Sequence, residues 1–397
     1  MHYKRIQGCL FLIMLLFCTF NGVIHAQEQL KITQGPYLTD PSENGITVVW
    51  TTNYNCLSWV EYGTGENLRT FPTWGSIPVK VYPVRNGLVD AYTKLHKVRI
   101  TGLEPGKKYK YRIVSTKIDQ FKPYEVVYGD TVTGMINKFE TLSESKQEFT
   151  FLVTSDVHER AADLDTLLVN SAPDEFDFLF LNGDVLDWFE NEEQIFDGFL
   201  DVCVDRFAKE VPFFYIRGNH ETRGYAARDL IDYFSYPDDR YYFSFQHGPV
   251  YFIVLDTGED KEDSHPVYAG LADFDRYRSE QAEWLKEVIN SDEFRNAEFR
   301  IAVFHMPPYT ARRSHGITQI TEEWGPLLNE GGIDLAVCGH MHRFFYQVPR
   351  EDKNTFPVLI TDRNMLAKIG VTPELLKIEV KGKDGKLVDS FDIRKKR

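Results

Sequence analysis

Seven residues in five short motifs are of the types that hold metal ions: Asp156-Val157-His158, Gly183-Asp184, Gly218-Asn219-His220-Glu221, His305 ahead of a Pro-Pro pair, and Gly339-His340-Met341-His342. Imidazole and carboxylate donors suit zinc, manganese and iron, whereas an all-oxygen set would suit magnesium or calcium. No cysteine lies in the motifs, which excludes a cysteine-bound structural zinc site. A single carboxylate, Asp184, can bridge two ions roughly 3.5 to 4 Å apart, the separation used for in-line attack on phosphorus. Water bound there has its pKa lowered from about 15.7 towards ~7, which yields hydroxide at neutral pH. Taken singly the motifs say little: Asp184 could be a turn residue, Asn219 a helix cap, and His340 with His342 a strand alternation. Together and in this order they point to a two-metal centre that hydrolyses a phosphate ester.

The elements that must position them are apolar runs of strand length. Phe149 to Val153, Phe176 to Leu181, Pro212 to Ile216, Phe299 to Phe304 and Ile333 to Val337 each end just before Asp156, Asp184, Asn219, His305 or His340, and Val250 to Leu255 is a sixth such run. In α/β sheets the carboxyl ends of neighbouring strands converge on one edge, so five separate segments can deliver side chains to one point. Helix-like stretches lie between the runs. Phe196, Phe199, Leu200, Cys203 and Phe207 share one helical face, and Trp284, Leu285, Val288 and Ile289 form the buried side of a helix over 279–290.

Residues 31–138 read differently, as short alternating strands separated by turn chemistry such as Pro41-Ser42-Glu43-Asn44-Gly45. This is a small β-sandwich, and Leu103 to Ile113 is similar to the turn and following strand of fibronectin type III domains, where a tyrosine closes the sandwich edge. The polar stretch 140–148 is the expected linker. The fold class is therefore an N-terminal all-β sandwich, fibronectin III-like, over 28–140, followed by an α/β domain over 148–397.

Lys4 and Arg5 precede an apolar run from Leu10 to Phe20, and Ala26 offers a small residue before a cut; residues 1–26 read as a secretory signal peptide. Export and the absence of a stable membrane span after cleavage follow as expectations, while lipid attachment at Cys18 is disfavoured by the bulky Phe17. Cleavage removes Lys4 and Arg5 and takes the formal charge from -14 to -16. A field of that sign disfavours long polyanions, and no nucleic-acid groove is evident. The three cysteines that remain give no disulfide framework.

With these motifs the chain resembles the calcineurin-like metallophosphoesterase superfamily, and the sandwich in front makes it similar to purple acid phosphatases. The resemblance implies an α/β domain of two mixed sheets flanked by helices. It assigns one ion to Asp156, His158, Asp184 and His342 and the second to Asp184, Asn219, His305 and His340, the metals being Fe, Mn or Zn. Purple acid phosphatases carry a tyrosine where this chain has Asp187, and they lack a histidine at the position of His158. Both differences resemble the general metallophosphoesterase centre, so a purple iron-tyrosinate site is not expected. In enzymes of that pattern the residue at Asp187 hydrogen-bonds the histidine at His220, keeping it protonated as general acid towards the leaving group. His315, ten residues after His305, is placed at the substrate by the same resemblance, and Arg217, Arg312 and Arg313 are candidate phosphate ligands. The implied substrate is a small phosphate monoester; a phosphodiesterase, or a non-enzymatic metal-binding surface module, are the alternatives. The long polar stretch after Asp256, containing His265-Pro266-Val267-Tyr268, could lid the site.

Overall fold

The computed structural model describes residues 28–64, 78–311 and 313–396. The expected signal peptide, Cys18 and Arg312 lie outside the described residues.

The N-terminal strands form a sandwich by way of one long strand, Gly45–Gly63. Its first half pairs with Ile32–Thr39 on one side and Ala91–Thr101 on the other. A register shift between Thr51 and Cys56 then turns it, and its second half pairs with Lys108–Lys122. An irregularity of this kind lets one strand serve two packed layers. Trp50, Val48, Ile100, Val60, Tyr111, Ile113 and Phe139 fill the space between them. Tyr109 closes the edge as expected: its hydroxyl accepts the N–H of Glu104 at 2.9 Å.

The second half is layered α/β. Three parallel strands, Phe149–Thr154, Phe178–Asn182 and Phe213–Ile216, extend through Met365–Thr372 to the C-terminal strands Leu375–Gly382 and Leu387–Arg394, which run antiparallel to their neighbours. The other sheet contains the parallel strands Val250–Val254, Phe299–Val303, Leu335–Cys338 and Val358–Ile360, with antiparallel strands at its edges. The sheets meet through phenylalanines, Phe151 lying edge-on to Phe252 at 5.2 Å and Phe178 to Phe252 at 5.7 Å. Helix Ala161–Ser171 and the helical run 192–208, partly widened to π geometry, cover the first sheet; Phe274–Val288 and His315–Glu330 cover the second. The expected buried face of the 192–208 run, Phe196 to Phe207, is buried. The helix expected over 279–290 starts earlier, at Phe274, and Trp284 is only partly buried.

The two halves join directly. Thr39 pairs in parallel with Phe213, so the sandwich edge continues the first sheet. The hydroxyls of Tyr37 and Tyr111 donate to the carbonyls of Tyr233 and Lys209, each at 2.7 Å. The expected linker is packed rather than loose: the N–H of Ser143 donates to Nδ1 of buried His247 at 3.0 Å, and Lys146 bridges Glu140 and Asp177.

Candidate metal centre

Every one of the five strand ends delivers its residue to one place. Among the described residues, ligand atoms lie within 4.8 Å of one another in three overlapping groups: Asp156, His158, Asp184 and His342; Asp184, His305 and His340; and His158, Asp187 and His220. Asp184 belongs to the first two, as a bridging carboxylate would. Asn219 is joined to the second through its amide oxygen, 2.9 Å from Nδ1 of His340.

The backbone has to bend sharply to do this. Asp156, His158, Asp184, His340 and His342 all have φ between 50° and 70°. Left-handed geometry costs a non-glycine residue of order 1 kcal/mol and persists where the surroundings over-determine it. Gly183 makes one of these turns possible: at φ 79° a Cβ would lie 2.5 Å from Nδ1 of His305. Glu221 fixes the turns from beneath. Fully buried, it accepts the N–H groups of Asp184, Val185, Leu186 and Gly218 at 2.6 to 3.0 Å and the hydroxyl of Tyr215 at 2.9 Å. Burial raises its pKa, with the Asp184 charge adding to the effect.

The donors fit cations. His158 donates from Nδ1 to the Asp187 carboxylate at 2.7 Å and His305 from Nδ1 to the carbonyl of Asn182 at 2.8 Å, both partners being acceptors only. Each ring therefore turns Nε2 into the cluster. Nε2 of His305 stands 2.9 Å from Oδ2 of Asp184 without hydrogen-bond geometry, and Nε2 of His158 is 3.2 Å from Nε2 of His342. Acceptors so close need a proton or a cation between them. Where no cation is bound, protons take that place: burial, reinforced by Asp184, pushes Asp156 up to about 7. On His305 burial opposes a charge but Asp184 and Asp156 outweigh it, giving about 10, and Asp184 is correspondingly held low against its own burial. Burial lowers His158 and His342, which favours neutral imidazole.

Around this cluster several expectations change. The Asp187 carboxylate lies within 4.8 Å of His220 without hydrogen-bonding it; Nδ1 of His220 donates instead to the main-chain carbonyl of Asp187, at 2.9 Å. The carboxylate is committed to His158, because the turn after Asp184 directs its side chain and its carbonyl to different rings. Arg217, expected at the phosphate, lies between Asp256, 2.9 Å from its Nε, and the ring of Tyr241, 4.1 Å away. His315 is held by Asp275 at 2.8 Å, the carboxylate that also pairs with Arg278. Arg313 is exposed ahead of the same helix. The 256–274 stretch is pinned rather than loose: buried Glu259 accepts from Thr222, Arg223 and Tyr268, and Asp263 accepts the N–H groups of Phe274 and Asp275.

Arg223 is the residue that sequence reasoning missed. Its Nη1 lies 3.2 Å from Nε2 of His220, while Nε and Nη2 hold Glu259 at 2.9 and 3.1 Å. A guanidinium only donates, so His220 stands as the neutral Nδ1–H tautomer with its Nε2 lone pair towards Arg223. Its position two residues after Glu221 in an otherwise metal-binding motif was the available signal.

Residues 149–344 match the calcineurin-like phosphoesterase family, and residues 34–128 match the purple acid phosphatase N-terminal domain. Purple acid phosphatase 21 of Arabidopsis thaliana is 24% identical over 331 residues, covering 82% of this chain and 68% of that protein. Purple acid phosphatase 18 of the same plant is 23% identical over 336 residues, covering 80% and 67%. Among solved structures, one described as GAP50, the anchor in the inner membrane complex of Plasmodium, aligns with a TM-score of 0.47 and 16% identity over 64% of this chain and 90% of that one. By its two domains the chain belongs to the calcineurin-like metallophosphoesterases, metal-dependent phosphoric ester hydrolases, here with a purple acid phosphatase N-terminal domain.

Proposed function

We propose that the protein is an exported phosphate monoesterase with two ions, of Fe, Mn or Zn, one at Asp156, His158, Asp184 and His342 and the other at Asp184, Asn219, His305 and His340. The observation that carries this reading is the sharing of Asp184 between two ligand groups whose lone pairs converge. Bound ions would neutralise the ester oxygens and activate the attacking water. The chain's own part begins with Asp187, which orients His158, and with Asn182, whose carbonyl orients His305. His220 is the general acid. To act it must carry a proton on Nε2, so Arg223 has to release that atom, and an incoming phosphate is the counter-ion that draws the guanidinium away. Monoester preference and export are supported by likeness to the plant phosphatases and by the leader-like residues 1–26; the domain limits follow as 28–140 and 148–397.

The test joins metal analysis of the purified protein to rates on a nitrophenyl monoester and its bis-ester. The monoester should be preferred, and Asn219→Ala or His305→Ala should abolish turnover. Preference for the bis-ester would replace this reading with a phosphodiesterase, and full activity in either variant would remove the two-metal assignment.

A further inference from the structure

The cluster is closed on one side and open on the other. Asp184 and His305 are fully buried, whereas the side chains of Asp187 and His342 are 41% and 51% exposed. An ester therefore enters over Asp187, His220 and His342, and its leaving group remains on that rim.

Two exposed aromatic residues lie close in the chain to residues that touch His220. Trp188 is 49% exposed and Tyr225 75% exposed. Trp188 follows Asp187, whose carbonyl holds His220, and Tyr225 lies two residues after Arg223, whose guanidinium also touches His220. Their backbones are stitched together: the N–H of Phe189 donates to the carbonyl of Arg223 at 2.8 Å, and that of Ala226 to the carbonyl of Phe189 at 3.2 Å. The carbonyl of Trp188 accepts Gln194 Nε2 at 3.0 Å, and the N–H of Asp187 donates to Glu159 at 3.1 Å. Gly224, at φ 91°, permits the approach, since a Cβ there would lie 2.2 Å from the carbonyl oxygen of Phe189. Large rings presented from a pinned backbone lose little freedom when a flat partner stacks on them.

We propose that Trp188 and Tyr225 form a stacking subsite for the leaving group, so that the preferred monoesters are those of flat aromatic groups, nucleosides or phenols. The proposal rests on the phosphatase reading above and names its substrate class. Alanine removal of a base-stacking ring typically weakens binding by about five- to a hundredfold.

The experiment compares kcat/KM for adenosine monophosphate, phenyl phosphate and glycerol phosphate in the full chain and in Trp188→Ala, Trp188→Phe and Tyr225→Ala. The wild type should favour the two aromatic esters, and the preference over glycerol phosphate should fall by about five- to a hundredfold in the alanine variants, through KM. Trp188→Phe should restore most of it. Adenosine monophosphate and phenyl phosphate separate a nucleoside from a phenol preference. Equal losses on all substrates, or an unaltered preference, overturn the subsite. If the wild type hydrolyses none of them, the phosphatase reading fails on its own. Calorimetric titration with adenosine monophosphate then decides the subsite: weaker binding to Trp188→Ala supports it and equal binding overturns it.

Discussion

Asp187 serves two histidines with two different groups: its carboxylate holds Nδ1 of His158 at 2.7 Å, and its main-chain carbonyl holds Nδ1 of His220 at 2.9 Å. Side-chain substitution can remove only the first contact. Asp187→Ala should therefore weaken metal binding by about 10- to 100-fold, the usual cost of losing a ligand's outer carboxylate. His220 keeps its carbonyl partner, so the alkaline limb of the pH–rate profile, where a general acid loses its proton, should stay where it is. Metal titration beside that profile checks this; a moved alkaline limb with unaltered metal affinity would reverse the assignment.

Glu221 is an acceptor for five donors and has no place for a donor of its own. Glu221→Gln sets an amide NH₂ against those N–H groups, leaving buried polar atoms unmatched at a cost of about 1 to 3 kcal/mol or more. Urea unfolding should show that loss together with reduced metal content. A variant as stable and as metal-loaded as the wild type would show that Glu221 does not hold the turns.

His96 and His247 are buried neutral, and burial lowers each of them to about 3. Unfolded, each would titrate near 6.5, so below that value the unfolded chain binds the extra protons. Their contribution is complete above about pH 6.5 and is lost as pH falls towards 3, at up to about 1.4 kcal/mol per pH unit for each histidine. His247→Gln keeps an acceptor for the Ser143 N–H and removes one titration. Its unfolding free energy should fall less between about pH 7 and about pH 5 than that of the wild type. Parallel slopes in the two proteins would contradict the account.

On the proposed assignment, cations held among Asp156, Asp184 and His305 would be a folding ligand as well as a cofactor. Free metal at a hundred times its dissociation constant stabilises a fold by about 2.7 kcal/mol. Chelation should therefore lower Tm, and Zn, Mn or Fe should restore it. Coincident melting curves for protein shown to be metal-loaded and metal-free would count against the site.

The ligand cluster was legible because each member follows a strand-length apolar run, and parallel strands must finish on one edge. Contacts between loops were not. Nothing in the sequence says that Asp187 would use its carbonyl for one ring, or that Arg217 would find Asp256 across 39 positions. Arg223 was overlooked because its partners, His220 and Glu259, are assembled only when the 256–274 stretch folds back. Helix limits were read less well than helix faces: the Phe274–Val288 helix begins at a turn capped by Asp263, whose part is set by geometry rather than by periodicity.

The pairing of Thr39 with Phe213 gives the sandwich a structural use. The strand Phe213–Ile216 would otherwise end the first catalytic sheet as an open edge, the place where foreign strands add on. It also carries the turn that bears Asn219 and His220. The first domain is thus a built-in shield for the very strand on which the chemistry hangs, and a catalytic half made without it would be expected to aggregate before it could be assayed.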